Sequence, residues 1–126
     1  MANAVEHMSA DDMGDDELTH RKIHLFNRFM QMVMENAHRE RKAEFYAQSL
    51  CITPQYLGRI VREMSHETAY GMISRMATGK MKTMLEQPDK SVQQIAAELG
   101  FADQSAFTKY FRRNTGLTPL KYRNSI

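Results

Sequence analysis

Apolar residues recur three and four positions apart along most of this chain, with polar residues between them. That rhythm is helical, and no segment alternates with period two in the way a half-buried strand would. From His20, the series Ile23, Phe26, Met30, Val33 and Ala37 predicts an amphipathic helix over 20–38. A second helix, about 41–50, carries Phe45, Tyr46, Ala47 and Leu50. Thr53-Pro54 opens a third: a hydroxyl N-cap, then a proline whose missing N–H costs nothing in a first turn. Its stripe is Leu57, Ile60, Val61 and Met64. Thr68 caps a long fourth helix, about 68–86, with Ile73, Met76, Ala77, Met81, Met84 and Leu85 on one face. Gly71 and Gly79 lie inside it, each costing about 1 kcal/mol relative to alanine. Ser91 and Gln94 form a capping box for a fifth helix, which contains Val92, Ile95, Ala96 and Leu99 and stops at Gly100. Asp103 caps a sixth, Gln104 to about Asn114, and Thr118-Pro119 starts a short last helix. The expected fold is therefore all-α, with about seven helices.

Two parts of this pattern are the same part written twice. "YAQSLCITPQYLGRIVREM" (46–64) and "IAAELGFADQSAFTKYFRRN" (95–114) each hold an alanine (Ala47, Ala96), a leucine three later (Leu50, Leu99) and a turn residue (Cys51, Gly100). An N-capped helix follows, with an apolar triplet: Leu57, Ile60, Val61 in one copy and Phe107, Tyr110, Phe111 in the other. The second copy has one extra residue in its turn. The small alanine suits a steep, close helix crossing, so each copy reads as helix–short turn–helix. The first unit runs from about 41 to 64 and the second from about 91 to 114, with the long helix as connector.

The outer faces of the two second helices carry hydrogen-bonding heads and positive charge. In one unit they are Gln55, Tyr56 and Arg59, with Gly58 between; in the other, Gln104, Ser105, Thr108 and Lys109. Such side chains read base edges in a DNA major groove: Gln pairs with adenine, Arg or Lys with guanine, Ser or Thr with either. Small residues such as Gly58 and Ala106 would let a helix sit deep. Arg112 and Arg113 come a turn later, where phosphate is the expected neighbour, and Tyr56 is assigned there too. The helix starts at Thr53 and Asp103 offer backbone N–H groups to phosphates. A connector of about 19 residues spans roughly 28 Å. Successive major grooves on one face lie roughly 34 Å apart, so the match asks the DNA to bend toward the protein.

Charge supports this partner. Residues 1–19 hold six acids and no Lys or Arg, a charge of −6, and read as a disordered acidic tail or linker remnant. Residues 20–126 hold all 17 basic residues and the other nine acids, a charge of +8, and read as one DNA-binding domain. No apolar run approaches the roughly 18 residues of a membrane span, and no signal peptide is visible. Cys51 is the one cysteine, which suits a reducing cytosol, and it reads as a small buried turn residue. His20 and His24 lack an acid or cysteine to complete a metal set, and the eleven methionines read as core filling. Arg39, Glu40, Arg41 and Lys42 read equally as a phosphate patch or a solvated helix junction. No nucleophile with a base, carboxylate pair or phosphate loop is present, so neither an enzyme nor a cofactor is expected.

The stretches "YAQSLCITPQYLGRIV" and "IAAELGFADQSAFTKYFRRNTGLTPLKYR", with the connector between them, resemble the C-terminal DNA-binding domain of the AraC/XylS family of bacterial transcription regulators. The resemblance covers about 41–123. It implies seven helices, two helix-turn-helix units and a linker helix, with family reading positions on Gln55, Gly58, Arg59, Gln104, Ser105, Thr108 and Lys109. It also implies a cytoplasmic protein, and RNA polymerase as a partner if the chain is an activator. Most members add an effector or dimerisation domain, for which 126 residues leave no room, so the chain reads as a fragment or a small stand-alone regulator. His66 stands where such domains frequently have glycine, and Gly79 and Met81 flank a usual alanine. The competing expectation is a helical protein-interaction adaptor that kept the fold without specific DNA binding.

Overall fold

A computed structural model describes residues 14–126. Among them seven helices follow one another: α1 (Asp15–Asn36), α2 (Ala43–Ser49), α3 (Pro54–Ser65), α4 (Ala69–Leu85), α5 (Val92–Glu98), α6 (Gln104–Thr115) and α7 (Pro119–Ser125). The described residues contain no strand, as the periodicity required. The expected caps are all present. Thr53, Thr68, Asp103 and Thr118 each accept a hydrogen bond from a first-turn N–H, and Ser91 with Gln94 closes a capping box.

α1 departs from expectation at its start and in its buried face. It begins at Asp15 rather than near His20, with Gly14 at the N-cap and Asp15, Asp16 and Glu17 in the first turn. Carboxylates in a first turn are favoured by the positive end of the helix dipole, so the end of the acidic run is a helix start. The rest of the expected tail, residues 1–13, lies outside the described residues. The helix buries Leu25, Phe29, Val33 and Ala37, while Ile23 is exposed and Phe26 and Met30 are partly covered. α1 has apolar residues around much of its circumference. The positions of α3 and α4 decide which of them are covered.

α4 is the centre of the molecule and packs against every other helix. Helices α1, α2 and α3 also touch one another, as do α5 with α6 and α6 with α7. No comparable packing joins the first three helices directly to the last three among the described residues. α4 therefore buries Ala69, Met72, Ile73, Ala77, Met81 and Leu85, and also Ser74 and Thr78. The two polar residues are satisfied locally: Thr78 Oγ1 donates to the Ser74 carbonyl at 2.8 Å, and Tyr110 Oη donates to Ser74 Oγ at 3.3 Å. At the far end, Arg123 holds the last carbonyls of α4, donating to Leu85 O at 2.9 Å and Gln87 O at 3.1 Å.

The repeat is exact enough to recur bond by bond. Ile52 N donates to Ala47 O at 3.0 Å, and Phe101 N donates to Ala96 O at 3.1 Å. These bonds close the same turn after α2 and α5. Ala47 and Ala96 are both buried where the paired helices cross. The equivalence also extends beyond the expected bounds. Ser65 and Thr115 both bond a carbonyl one turn back, and both accept from the N–H two residues on. Each is followed by a left-handed residue, His66 at φ 63° and Gly116 at φ 84°. Cys51 and Gly100 form a second such pair, at φ 60° and φ 80°. Cys51 was expected to be buried, and it is exposed. It stands at a left-handed turn position, φ 60°, on the surface.

Non-glycine residues in this conformation cost roughly 1–2 kcal/mol. His66→Gly should therefore raise stability by about 1 kcal/mol in urea unfolding. Gly79→Ala should also stabilise by about 1 kcal/mol, since a Cβ there meets nothing within 4 Å. Gly71→Ala should gain nothing, because its Cβ would lie 3.0 Å from the Thr68 Oγ1 that caps the helix. Destabilisation by Gly79→Ala would contradict its open surroundings.

Candidate nucleic-acid interface

α6 is anchored by its aromatic face. Phe107 and Phe111 are fully buried, and their rings lie 5.9 Å apart. Phe101 packs 5.3 Å from Phe107, and Tyr122 packs 5.8 Å from Phe111. Large rings buried this way fix the helix in rotation, which leaves its opposite face defined in space. On that face Gln104, Ser105, Thr108 and Lys109 come together around one open hollow of about 450 Å³. Thr108 is half-buried and the other three are exposed.

α3 is anchored by Leu57, Ile60 and Val61, all fully buried. Gln55 and Arg59 are exposed on its outer side, with Tyr56 half-buried beside them. The Arg59 guanidinium lies 6.0 Å from the Tyr56 ring, at the outer limit of a cation–π contact. Gly58 faces open space, so the backbone is bare between Gln55 and Arg59.

The helix starts expected to meet phosphate are already capped. Thr53 Oγ1 accepts from Tyr56 N at 3.0 Å, and Asp103 Oδ1 accepts from Ala106 N at 2.8 Å. The caps leave the N–H groups of Gln55, and of Gln104 and Ser105, as the free first-turn donors; Pro54 has none. Arg112 and Arg113 are both exposed in the last turn of α6. They differ in surroundings. Ser74, Asn114 and Arg113 approach the Tyr70 hydroxyl and together hold that phenol below its ordinary value, with Ser74 foremost. The ion pairs among the described residues, Lys22–Glu63, Arg75–Glu67 and Lys90–Glu98, leave Arg59, Lys109, Arg112 and Arg113 without a carboxylate partner.

Of the four charged residues at 39–42, Arg41 is drawn into a helix junction, while Arg39 and Lys42 are exposed. Arg41 Nη1 donates to the carbonyls of His38 and Leu99, and its guanidinium lies 3.7 Å from the centre of the Phe101 ring. Burial lowers its pKa from the ordinary value. The sequence offers no local signal for this contact, because its partners lie 58 residues further on. His20 and His24 are exposed one turn apart on α1. No described helix is long and apolar enough to cross a membrane.

Two capped helix-turn-helix units sharing one central helix have the architecture of a DNA-binding domain. A family described as a helix-turn-helix domain, of AraC type, matches residues 46–125, and the chain belongs to it. The uncharacterised transcriptional regulatory protein YesN of Bacillus subtilis is 36% identical over 76 residues, covering 59% of this chain and 21% of that protein. The chain thus spans about a fifth of that relative's length. The C-terminal domain of AraT, a response regulator from Geobacillus stearothermophilus, shares the fold with a TM-score of 0.71. It is 20% identical, over 81% of this chain and 85% of that one. The DNA-binding domain of AdpA, a global transcriptional factor solved with a target DNA, gives 0.65 at 22% identity, over 79% and 89% of the two chains.

Asp103 sets a carboxylate beside the first turn of α6, and its two roles can be separated. Asp103→Ala should cost about 1 kcal/mol of stability by removing the cap. Asp103→Asn should keep the cap, leave the melting temperature nearly unchanged, and raise affinity for duplex DNA at low salt. An alanine variant as stable as the parent would show that the cap does not hold the helix start.

Proposed function

We propose that this chain binds double-stranded DNA at a specific sequence and so regulates bacterial transcription, with α3 and α6 in adjacent major grooves. One observation carries the proposal. The outer face of α6 gathers Gln104, Ser105, Thr108 and Lys109 at one hollow, while its inner face is locked by buried aromatic rings. Gln55, Arg59, Gln104, Ser105, Thr108 and Lys109 read bases. Thr53 and Asp103, through their helix starts, and Tyr56, Arg112 and Arg113 meet phosphate. α4 has 17 residues, so it is about 26 Å long, shorter than expected. The DNA then bends toward the protein, at roughly 1–6 kcal/mol. The two units differ in reading residues, so the site is non-palindromic, about two helical turns long, and bound by one copy of the chain.

An adaptor that had lost DNA binding would carry apolar or acidic residues on these outer faces, and here they are amide, hydroxyl and cationic. The setting is the bacterial cytoplasm. RNA polymerase is a further partner where binding activates a promoter, and an effector or dimerisation domain fits the greater length of the relatives.

Titration against a preferred site, selected from random duplexes, and against unrelated DNA at several salt concentrations tests the assignment. Arg59→Ala or Lys109→Ala should cost about 1–3 kcal/mol on the preferred site and less on unrelated DNA. Arg112→Ala should weaken both DNAs alike and reduce the salt slope by about one. Arg113→Ala should do the same. Equal losses on both DNAs for Arg59→Ala and Lys109→Ala would remove those two residues from base reading.

A further inference from the structure

Two reading helices can address two grooves at once only if the angle between them is fixed. α4 alone is a weak guarantor of that angle. It is the helix on which both halves pack, it contains Gly71 and Gly79, and Gly79 is exposed with open space around it. A second connection exists, and it bypasses α4. Arg41, in the link between α1 and α2, crosses to the turn between α5 and α6. Its Nη1 donates to His38 O at 2.6 Å on its own side and to Leu99 O at 2.9 Å on the other. Its guanidinium plane rests on Phe101, 3.7 Å from the ring centre, with Tyr110 at 5.6 Å. Phe101 is in turn packed on Phe107, which anchors α6.

The chemistry of the site suits a strut. Leu99 caps the C-terminal end of α5, where unpaired carbonyls carry the negative end of the helix dipole. Arg39 stands beside the same turn, its Nε and Nη2 each 3.9 Å from where a Cβ on Gly100 would lie. A planar guanidinium can bond two carbonyls in its plane and stack on a ring with its face. An ammonium can do the first and not the second.

We propose that Arg41 is a positioning residue that sets the angle between α3 and α6, and hence the spacing of half-sites the chain accepts. This rests on the DNA-binding reading above only for its consequence; the strut itself can be tested without DNA. Residual dipolar couplings of the free protein report whether α1–α3 and α5–α7 reorient as one body. A single alignment tensor should fit both halves of the parent chain. Arg41→Met, of similar length and apolar, should require two tensors while each half keeps its internal couplings. Arg41→Lys should fall between. The DNA arm compares the preferred site with versions carrying one base pair more or less between the half-sites. The parent should discriminate among these spacings. Arg41→Met should bind the preferred site about tenfold more weakly, as a looser join lowers the effective concentration of the second unit. It should bind an isolated half-site as the parent does and lose spacing discrimination. One tensor for Arg41→Met overturns the proposal, as does retained spacing discrimination. Failure of the parent to bind any duplex overturns the functional reading and leaves the tensor comparison to decide the strut.

Discussion

Everything in this fold depends on one helix shared by two halves. α4 must present apolar surface to α1, α2 and α3 and also to α5, α6 and α7. A helix with a single stripe satisfies one neighbour layer; α4 is covered on more than one side, and Ser74 and Thr78 are buried along with the aliphatic residues. Small residues are needed where helices approach it from several directions, hence Ala69, Ala77, Ser74 and Thr78. The cost of burying two hydroxyls is met within the helix and by Tyr110, so no polar group there is stranded.

The two halves spend their stability differently at the same geometric points. Each needs a left-handed residue after its first helix and another after its second. The second half has Gly100 and Gly116 there, and the first has Cys51 and His66. The second half also packs rings where the first packs aliphatic residues. Phe107, Phe111, Phe101 and Tyr122 form a connected aromatic set under α6. The positions under α3 equivalent to the three phenylalanines are Leu57, Val61 and Ile52, with Tyr46 and Phe29 packed at 5.6 Å nearby. The repeat is thus one of backbone and capping, carried out with two different fillings.

Charge follows the same division between packing and surface. The ion pairs among the described residues use none of Gln55, Arg59, Gln104, Ser105, Thr108 and Lys109, and the arginines that are drawn inward hold helix ends. Arg123 takes the carbonyls at the end of α4, and Arg41 takes that of Leu99 after α5. A guanidinium near a helix C-terminus is stabilised by the dipole and by several carbonyls at once. These two basic residues are therefore structural, although nothing in their local sequence separates them from Arg59 or Arg112.

The sequence by itself determined the helices, their caps and the twofold repeat. These follow from short-range chemistry: threonine before proline, serine three before glutamine, and apolar triplets one turn apart. It also pointed to the candidate reading face, because Ser105 and Lys109 fall opposite Phe107 and Phe111 at helical spacing, whereas Gln104 is exposed in the first turn and Thr108 lies half-buried between the two faces. Only the tertiary structure decided which apolar face of α1 is buried, since Ile23, Phe26 and Met30 and Leu25, Phe29 and Val33 are both acceptable helical stripes. It alone moved the start of α1 into the acidic run and exposed Cys51. It alone joined Arg41 to Leu99 and Phe101, a contact between segments that no local pattern relates. Periodicity and capping reach only a few residues along the chain, whereas the choice of burial face and of long-range partners depends on what the other helices bring into contact.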